Sequence, residues 1–230
     1  MAEIEARKAA LEIISAAFHI SQKCILFYSG GKDSVCVLHL LEQVYSKKDI
    51  NLVFMPFVDG LVETDLVIGM AKKQGYGVHL YQHWRYFVDK AQGSFCIPQG
   101  KPKKLSDIYN EVRQDIGDFP IFYGAKRSDG MWRRLVTSNA KWMVNVHAPI
   151  YTWSKYDVLL YIRHNNLEYL KQEGDRVSGV DLSEKYILWA YENQKQSYEA
   201  LKREFPFLDA CIFRAKEVRN GGINAKNSRD

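Results

Sequence analysis

The chain has 230 residues, 47% of them hydrophobic and 26% charged, which is enough for one well-buried α/β domain with a small appendage and too little for two full domains. A formal net charge of +5 suits phosphate-bearing ligands without demanding nucleic acid. The four cysteines, at 24, 36, 96 and 211, show no Cys-x-x-Cys spacing and no matching histidine pair, which argues against a structural zinc site or a disulfide framework and fits a reducing compartment. Glu3, Glu5, Arg7, Lys8 and Glu12 interrupt the N-terminal apolar residues, and no run approaches the roughly 18 apolar positions of a membrane span. A cytoplasmic protein without a membrane segment is expected.

Taken in order, residues 3 to 18 place Ile4, Leu11, Ile14 and Phe18 near one face, predicting an amphipathic helix. Cys24-Ile25-Leu26-Phe27-Tyr28 reads as a buried strand, and Val35 to Leu41 as a helix. Asn51 to Phe57 predicts a second strand, 62 to 74 a helix ending near Gly75, and Gly77 to Tyr81 a third strand. An indistinct stretch with Gly93, Pro98, Gly100 and Pro102 follows. Lys101, Lys103 and Lys104 make 96 to 104 an exposed basic loop, with a lid as the alternative. A helix is predicted over 104 to 116, a fourth strand over Phe119 to Gly124 and a fifth over Trp142 to Val146.

Ser154 and Asp157 have capping-box spacing before Val158, and Ser183 precedes one long helical pattern through Phe205. The tail beyond Phe213, with Gly221 and Gly222, has the composition of a disordered end. Alternating strands and helices predict right-handed βαβ units in a five-stranded parallel sheet, with ligands outside the carboxyl ends of the strands. The division expected is an α/β nucleotide-binding domain over 1–165 and a helical C-terminal extension over 166–230, packed on the same domain.

The richest segment for chemistry is Ser29-Gly30-Gly31-Lys32-Asp33-Ser34, between the first strand and its helix. Two glycines let backbone approach a ligand, and the unpaired N–H groups of a first helical turn, with the helix dipole behind them, attract anions. Lys32 adds a cation, Ser29 and Ser34 add hydroxyls, and Asp33 adds a carboxylate able to help hold a magnesium ion carried in with phosphates. The P-loop pattern is not met, because Leu26 and Asp33 stand where it needs Gly and Ser or Thr, and the dinucleotide fingerprint lacks its third glycine.

This hexapeptide after a first strand resembles the signature of the PP-loop ATP pyrophosphatases, the adenine nucleotide alpha-hydrolase group. The resemblance implies a Rossmann-like, HUP-type sheet flanked by helices, and an enzyme that binds ATP and breaks the bond between its alpha and beta phosphates. Asp59, Gly60, Glu63 and Thr64, at the end of the second strand, resemble the acidic element beside the nucleotide in the PAPS reductase-like branch. Helix capping by Asp59 and an acidic first turn from Glu63 are the competing account. Gly124-Ala125-Lys126-Arg127-Ser128, leading to Arg133-Arg134, is similar to that branch's Gly-x-x-Arg pattern, and arginine suits phosphate or sulfate. Ala148 to Val158 resembles its proline-to-tryptophan element, with Pro149 and Trp153 read as turn and packing residues.

The pattern breaks at the C-terminus, since the branch's Glu-Cys-Gly-Leu-His element is missing and Cys211 stands alone among apolar neighbours. The six histidines show no metal spacing, and His79 and His83 straddle a strand end. Sulfonucleotide reduction is therefore disfavoured. The leading expectation is an ATP- and magnesium-dependent enzyme releasing pyrophosphate, with Lys32, Asp33 and Arg127 as catalytic residues. Ser29, Gly30, Gly31, Ser34, Asp59, Glu63, Arg133 and Arg134 join Lys32 and Asp33 in binding the nucleotide. The acceptor, a small molecule or nucleic acid, stays open. So do a sulfotransfer enzyme using Cys211 and a nucleotide-binding partner subunit in nucleic-acid modification, as does self-association.

Overall fold

A computed structural model of the protein describes residues 2–129, 145–170 and 179–217. The chain divides into two compact units. The first comprises Met1–Met55, Leu66–Tyr81 and Leu105–Lys171, and the second Pro56–Asp65, Gln82–Lys104 and Gln172–Asp230.

The first unit is built on a five-stranded, all-parallel sheet of β1 (Cys24–Phe27), β2 (Ile50–Phe54), β3 (Val78–Leu80), β4 (Ile121–Tyr123) and β5 (Val146–His147), in the order β3-β2-β1-β4-β5. Cys24, Ile25 and Leu26 of central β1 are wholly buried, as a parallel strand covered on both faces requires. Helix α1 (Ala2–Ile20) turns Ala10, Ile14 and Ala17 to the core, with Leu11 and Phe18 partly covered; the side chain of Ile4 lies outside the described residues. Helix α2 (Lys32–Leu41) is apolar almost all round and buries Val35 to Leu38, Leu40 and Leu41.

The α/β class and the five-stranded parallel sheet are those expected. Strand β2 is shorter than predicted, ending at Phe54, because Pro56 lacks the N–H that a continuing ladder needs. Of the predicted fifth strand, 142–144 lies outside the described residues, and β5 carries on to His147. After helix α5 (Leu105–Ile116) and β4, helix α6 (Lys155–His164) opens with the predicted capping box. Ser154 Oγ accepts from Asp157 N at 3.2 Å, and Asp157 Oδ2 accepts from Ser154 N at 2.7 Å. Trp153, 3% exposed, packs edge-on to Tyr161 and donates to the Ala6 carbonyl, a packing role as expected.

Helix α3 (Val62–Lys73) starts in the second unit's segment and ends in the first's. The second unit's core joins Phe57, Val58 and Leu61 to Tyr186, Ile187, Ala190, Tyr198, Leu201, Phe205, Leu208 and Cys211. It contains a helix that the sequence pattern did not reveal, α4 (Trp84–Gln92), capped by His83, whose Nδ1 accepts from Arg85 N, and closed by Gly93 at φ 74°. The single helix expected after Ser183 is two, α7 (Glu184–Asn193) and α8 (Lys195–Glu204), broken at Gln194. There Gln194 leaves helical geometry at φ −144° and ψ 67°, and Asn193 Nδ2 donates back to the Trp189 carbonyl. Residues 209–217 are again helical, and the rest of the tail lies outside the described residues. No helix among the described residues is long and apolar enough to cross a membrane.

Candidate functional site

The sheet order reverses direction beside β1. The chain goes from β1 to β2 on one side, while β4 pairs on the other with Phe27 opposite Tyr123. In open parallel sheets this switch point leaves a crevice at the carboxyl edge, where ligands bind. Two segments leave it from adjacent strands: residues 29–34 after β1 and residues 124–129 after β4.

Gly30 adopts φ 66°, a left-handed conformation that a side chain would strain. Its carbonyl accepts from Leu170 N at 2.8 Å, and a Cβ placed on it would fall 2.7 Å from Leu170 Cδ1. Gly31 is the N-cap of α2 and has no side chain to cap it. The hydroxyls of Ser29 and Ser34 meet at 3.2 Å; Ser34 Oγ also accepts from Ser29 N at 3.2 Å and donates to the Gly31 carbonyl at 3.0 Å. These serine bonds hold the loop's shape, while the first amides of α2 keep the donor character of a helix start.

Gly124 makes the two segments close neighbours. A Cβ at 124 would lie 2.8 Å from the Asp33 backbone carbon and 2.9 Å from Ser34 N, so only glycine lets the end of β4 pass the first turn of α2. Lys126, two residues on, is 2% exposed. Its Nζ sits 2.7 Å from Asp33 Oδ1 and 3.1 Å from Asp129 Oδ1, and Asp33 Oδ2 is 2.7 Å from Lys32 Nζ. Lys32, Asp33, Lys126 and Asp129 thus form one chain of alternating charge. Sequence pattern does not single out Lys126 as a site residue, although it stands between Gly124 and Arg127. A buried lysine needs carboxylates around it, and Asp33 and Asp129 are distant from each other in sequence, so no local spacing announced the arrangement.

Arg127 opens a short 3-10 turn, Arg127–Asp129, on the surface, with its amide donating to the Tyr151 carbonyl at 2.7 Å. Arg133 and Arg134 lie outside the described residues. Asp59 and Glu63 belong to the second unit. Asp59 is exposed, whereas Glu63 is 8% exposed and accepts, within that unit, from Tyr186 Oη at 2.7 Å and Ser197 Oγ at 2.8 Å.

All four cysteines are buried. Burial, helped by Asp33, pushes the Cys36 thiol up to about 12, and burial likewise raises Cys211. His83 is pushed down to about 4, first by burial and then by Arg85. Both oxygens of Asp33 rest on ammonium groups, and no cluster of three metal-binding side chains occurs among the described residues.

The family model described as the phosphoadenosine phosphosulfate reductase domain matches residues 23–171. No curated protein matches the chain. Among solved structures, the glutamine-dependent NAD+ synthetase from Acinetobacter baumannii, in complex with ADP, aligns with a TM-score of 0.52 at 14% identity. That alignment covers 94% of this chain and 44% of that one, so this chain spans less than half of the synthetase, and the likeness is one of fold. The NH3-dependent NAD synthetase from Campylobacter jejuni, with nitrate, gives 0.49 at 13% identity, covering 93% and 94%. The phosphoadenylyl-sulfate (PAPS) reductase from Candida auris, a phosphate complex, gives 0.48 at 17% identity, covering 75% and 90%.

Proposed function

Because the chain belongs to the phosphoadenosine phosphosulfate reductase domain family, a PP-loop nucleotide-binding family, we propose that it is an enzyme that binds ATP at residues 29–34 and cleaves its α–β phosphate bond. The observation that carries this reading is the loop itself, with Gly30 at φ 66°, an uncapped helix start at Gly31, and Lys32 and Ser34 on the first turn, all at the switch point between β1 and β4. In the proposed reaction an acceptor oxygen attacks the alpha phosphorus. The bond from that phosphorus to the α–β bridging oxygen breaks, the electron pair leaves on pyrophosphate, and the acceptor is adenylylated. The amides of Gly31 to Ser34 and the Lys32 ammonium stabilise the charge growing on pyrophosphate, and Arg127 orients the nucleotide or acceptor. Magnesium would arrive with the nucleotide's phosphates. The Asp33 carboxylate, engaged by two lysines, is assigned no step through it.

The rival within the family is thiol chemistry on a sulfonucleotide. The buried cysteines weigh against it, above all Cys211, which is 4% exposed with its thiol shifted away from the reactive thiolate. Calorimetric titration with ATP and with pyrophosphate tests the binding step, and pyrophosphate release scored over a panel of oxygen nucleophiles tests the reaction. Binding of both ligands, lost in Lys32→Ala, is expected. Absence of binding by ATP, pyrophosphate and sulfate alike would reject the reading. Incubation with PAPS and thioredoxin should yield no sulfite, and sulfite production abolished by Cys211→Ser would move the assignment to thiol chemistry.

A further inference from the structure

We propose that Lys126 is a positioning residue that lets Lys32 change partners, keeping Asp33 neutralised when Lys32 leaves that carboxylate for an incoming phosphate. The proposal rests on reading residues 29–34 as a phosphate cradle. As the chain stands, the cradle's cation is already occupied: Lys32 Nζ lies 2.7 Å from Asp33 Oδ2, and the four charges of Lys32, Asp33, Lys126 and Asp129 cancel. An anion entering there meets a carboxylate beside the amides it needs. The two lysines on Asp33 differ in setting. The Lys32 side chain is 30% exposed and that of Asp33 is 21% exposed, so this is the more open of the two pairs and the one that a doubly charged phosphate reaches. The Lys126 side chain is 2% exposed and is also held by Asp129 Oδ1 at 3.1 Å, while its own amide donates to Asp129 Oδ2 at 2.9 Å.

Such a buried ammonium does not leave its carboxylates, because that would strand an unpaired charge away from water. The geometry therefore divides the labour. Lys126 stays with Asp33 at Oδ1, and Lys32 departs from Oδ2 to the ligand. Without Lys126, Asp33 would both retain Lys32 and repel the phosphate. The close pass of Gly124 against the Asp33 backbone is what brings the β4 loop near enough for this arrangement.

The test is titration with inorganic pyrophosphate in EDTA, which removes any metal contribution of Asp33, on the full chain and four variants. Wild type should bind, and Lys32→Ala should not. Lys126→Met should lose at least tenfold in affinity, and the double variant Asp33→Asn/Lys126→Met should regain most of it, a rescue that a merely structural role for Lys126 would not produce. Asp33→Asn alone, which releases Lys32, should bind at least as tightly as wild type. Lys126→Met binding as well as wild type, a folded double variant no better than a folded Lys126→Met, or Asp33→Asn binding tenfold more weakly, would overturn the proposal. If Lys126→Met does not fold, wild-type affinity in the double variant and in Asp33→Asn is the expected result, and tenfold weakening in either one contradicts it. Failure of wild type to bind, or binding unaffected by Lys32→Ala, would instead reject the cradle reading itself.

Discussion

Gly124→Ala is the smallest change that probes how residues 29–34 and 124–129 meet. The added methyl carbon would stand 2.8 Å from the backbone carbon of Asp33, 2.9 Å from Ser34 N and 3.0 Å from Asp33 Cβ, all closer than ordinary contact. Two of the three are backbone atoms on the first turn of α2, which cannot rotate away as a side chain would, so β4 or the helix start has to shift. Overpacking of this kind costs about 1–3 kcal/mol. For a chain of this size about 2 kcal/mol corresponds to a fall in melting temperature of roughly 4–8 °C. The same shift moves the amides of Lys32 to Ser34, so pyrophosphate affinity should fall with stability. Gly69→Ala is the matched control, since nothing lies within 4 Å of its Cβ and it sits inside α3, where alanine is better by about 0.5–1 kcal/mol. Differential scanning calorimetry with and without pyrophosphate reads both effects. Gly124→Ala melting at or above wild type, with undiminished pyrophosphate protection, would refute the close approach.

Three further outcomes are expected. Lys32→Ala should melt within about 0.5 kcal/mol of wild type, because the pair it breaks is partly exposed, yet lose the ligand-induced rise in melting temperature that binding confers by mass action. Cys211→Ser should leave nucleotide binding and pyrophosphate release unchanged, and in the native wild type this thiol should react with iodoacetamide far more slowly than after denaturation, as mass spectrometry would show. His83 should make the fold acid-sensitive. Its folded pKa of about 4 lies below the ordinary 6.5, so between those values the unfolded chain binds the proton and the native one does not. The stability tied to a neutral His83 is complete above pH 6.5 and is lost progressively as pH falls to about 4. His83→Asn, which can still cap α4, should flatten that part of the urea-denaturation profile relative to wild type.

The parallel sheet was legible because its strands are short apolar runs set between helical periods, and the glycine-rich turn proposed as a phosphate cradle stood out because its glycines, lysine and serines lie together in sequence. The family resemblance read from the same residues agrees with the match over 23–171. Helix α4 escaped because its N-cap is a histidine and its stretch, Trp84 to Gln92, mixes aromatic and charged residues without a typical cap signal. The break at Gln194 was hidden for the opposite reason, since Tyr186, Ile187, Ala190, Ser197, Tyr198 and Leu201 keep a helical spacing straight through it. Lys126 shows a limit of another kind. In sequence it is one more basic residue in a basic turn, and only the pairing of β1 with β4 brings it under Asp33, ninety-three residues earlier. Glu63 was visible as an acidic residue at a helix start, but its bonds to Tyr186 and Ser197 depend on helices more than a hundred residues away.

A crystal structure of the protein with an ATP analogue whose α–β bridging oxygen is replaced by methylene would show directly whether residues 29–34 cradle the phosphates. The β- and γ-phosphates should lie within hydrogen-bonding distance of the amides of Gly31 to Ser34, with Lys32 Nζ moved from Asp33 onto a phosphate oxygen and Lys126 still on Asp33. Phosphates bound elsewhere, with residues 29–34 unoccupied and Lys32 still paired to Asp33, would contradict the proposed cradle.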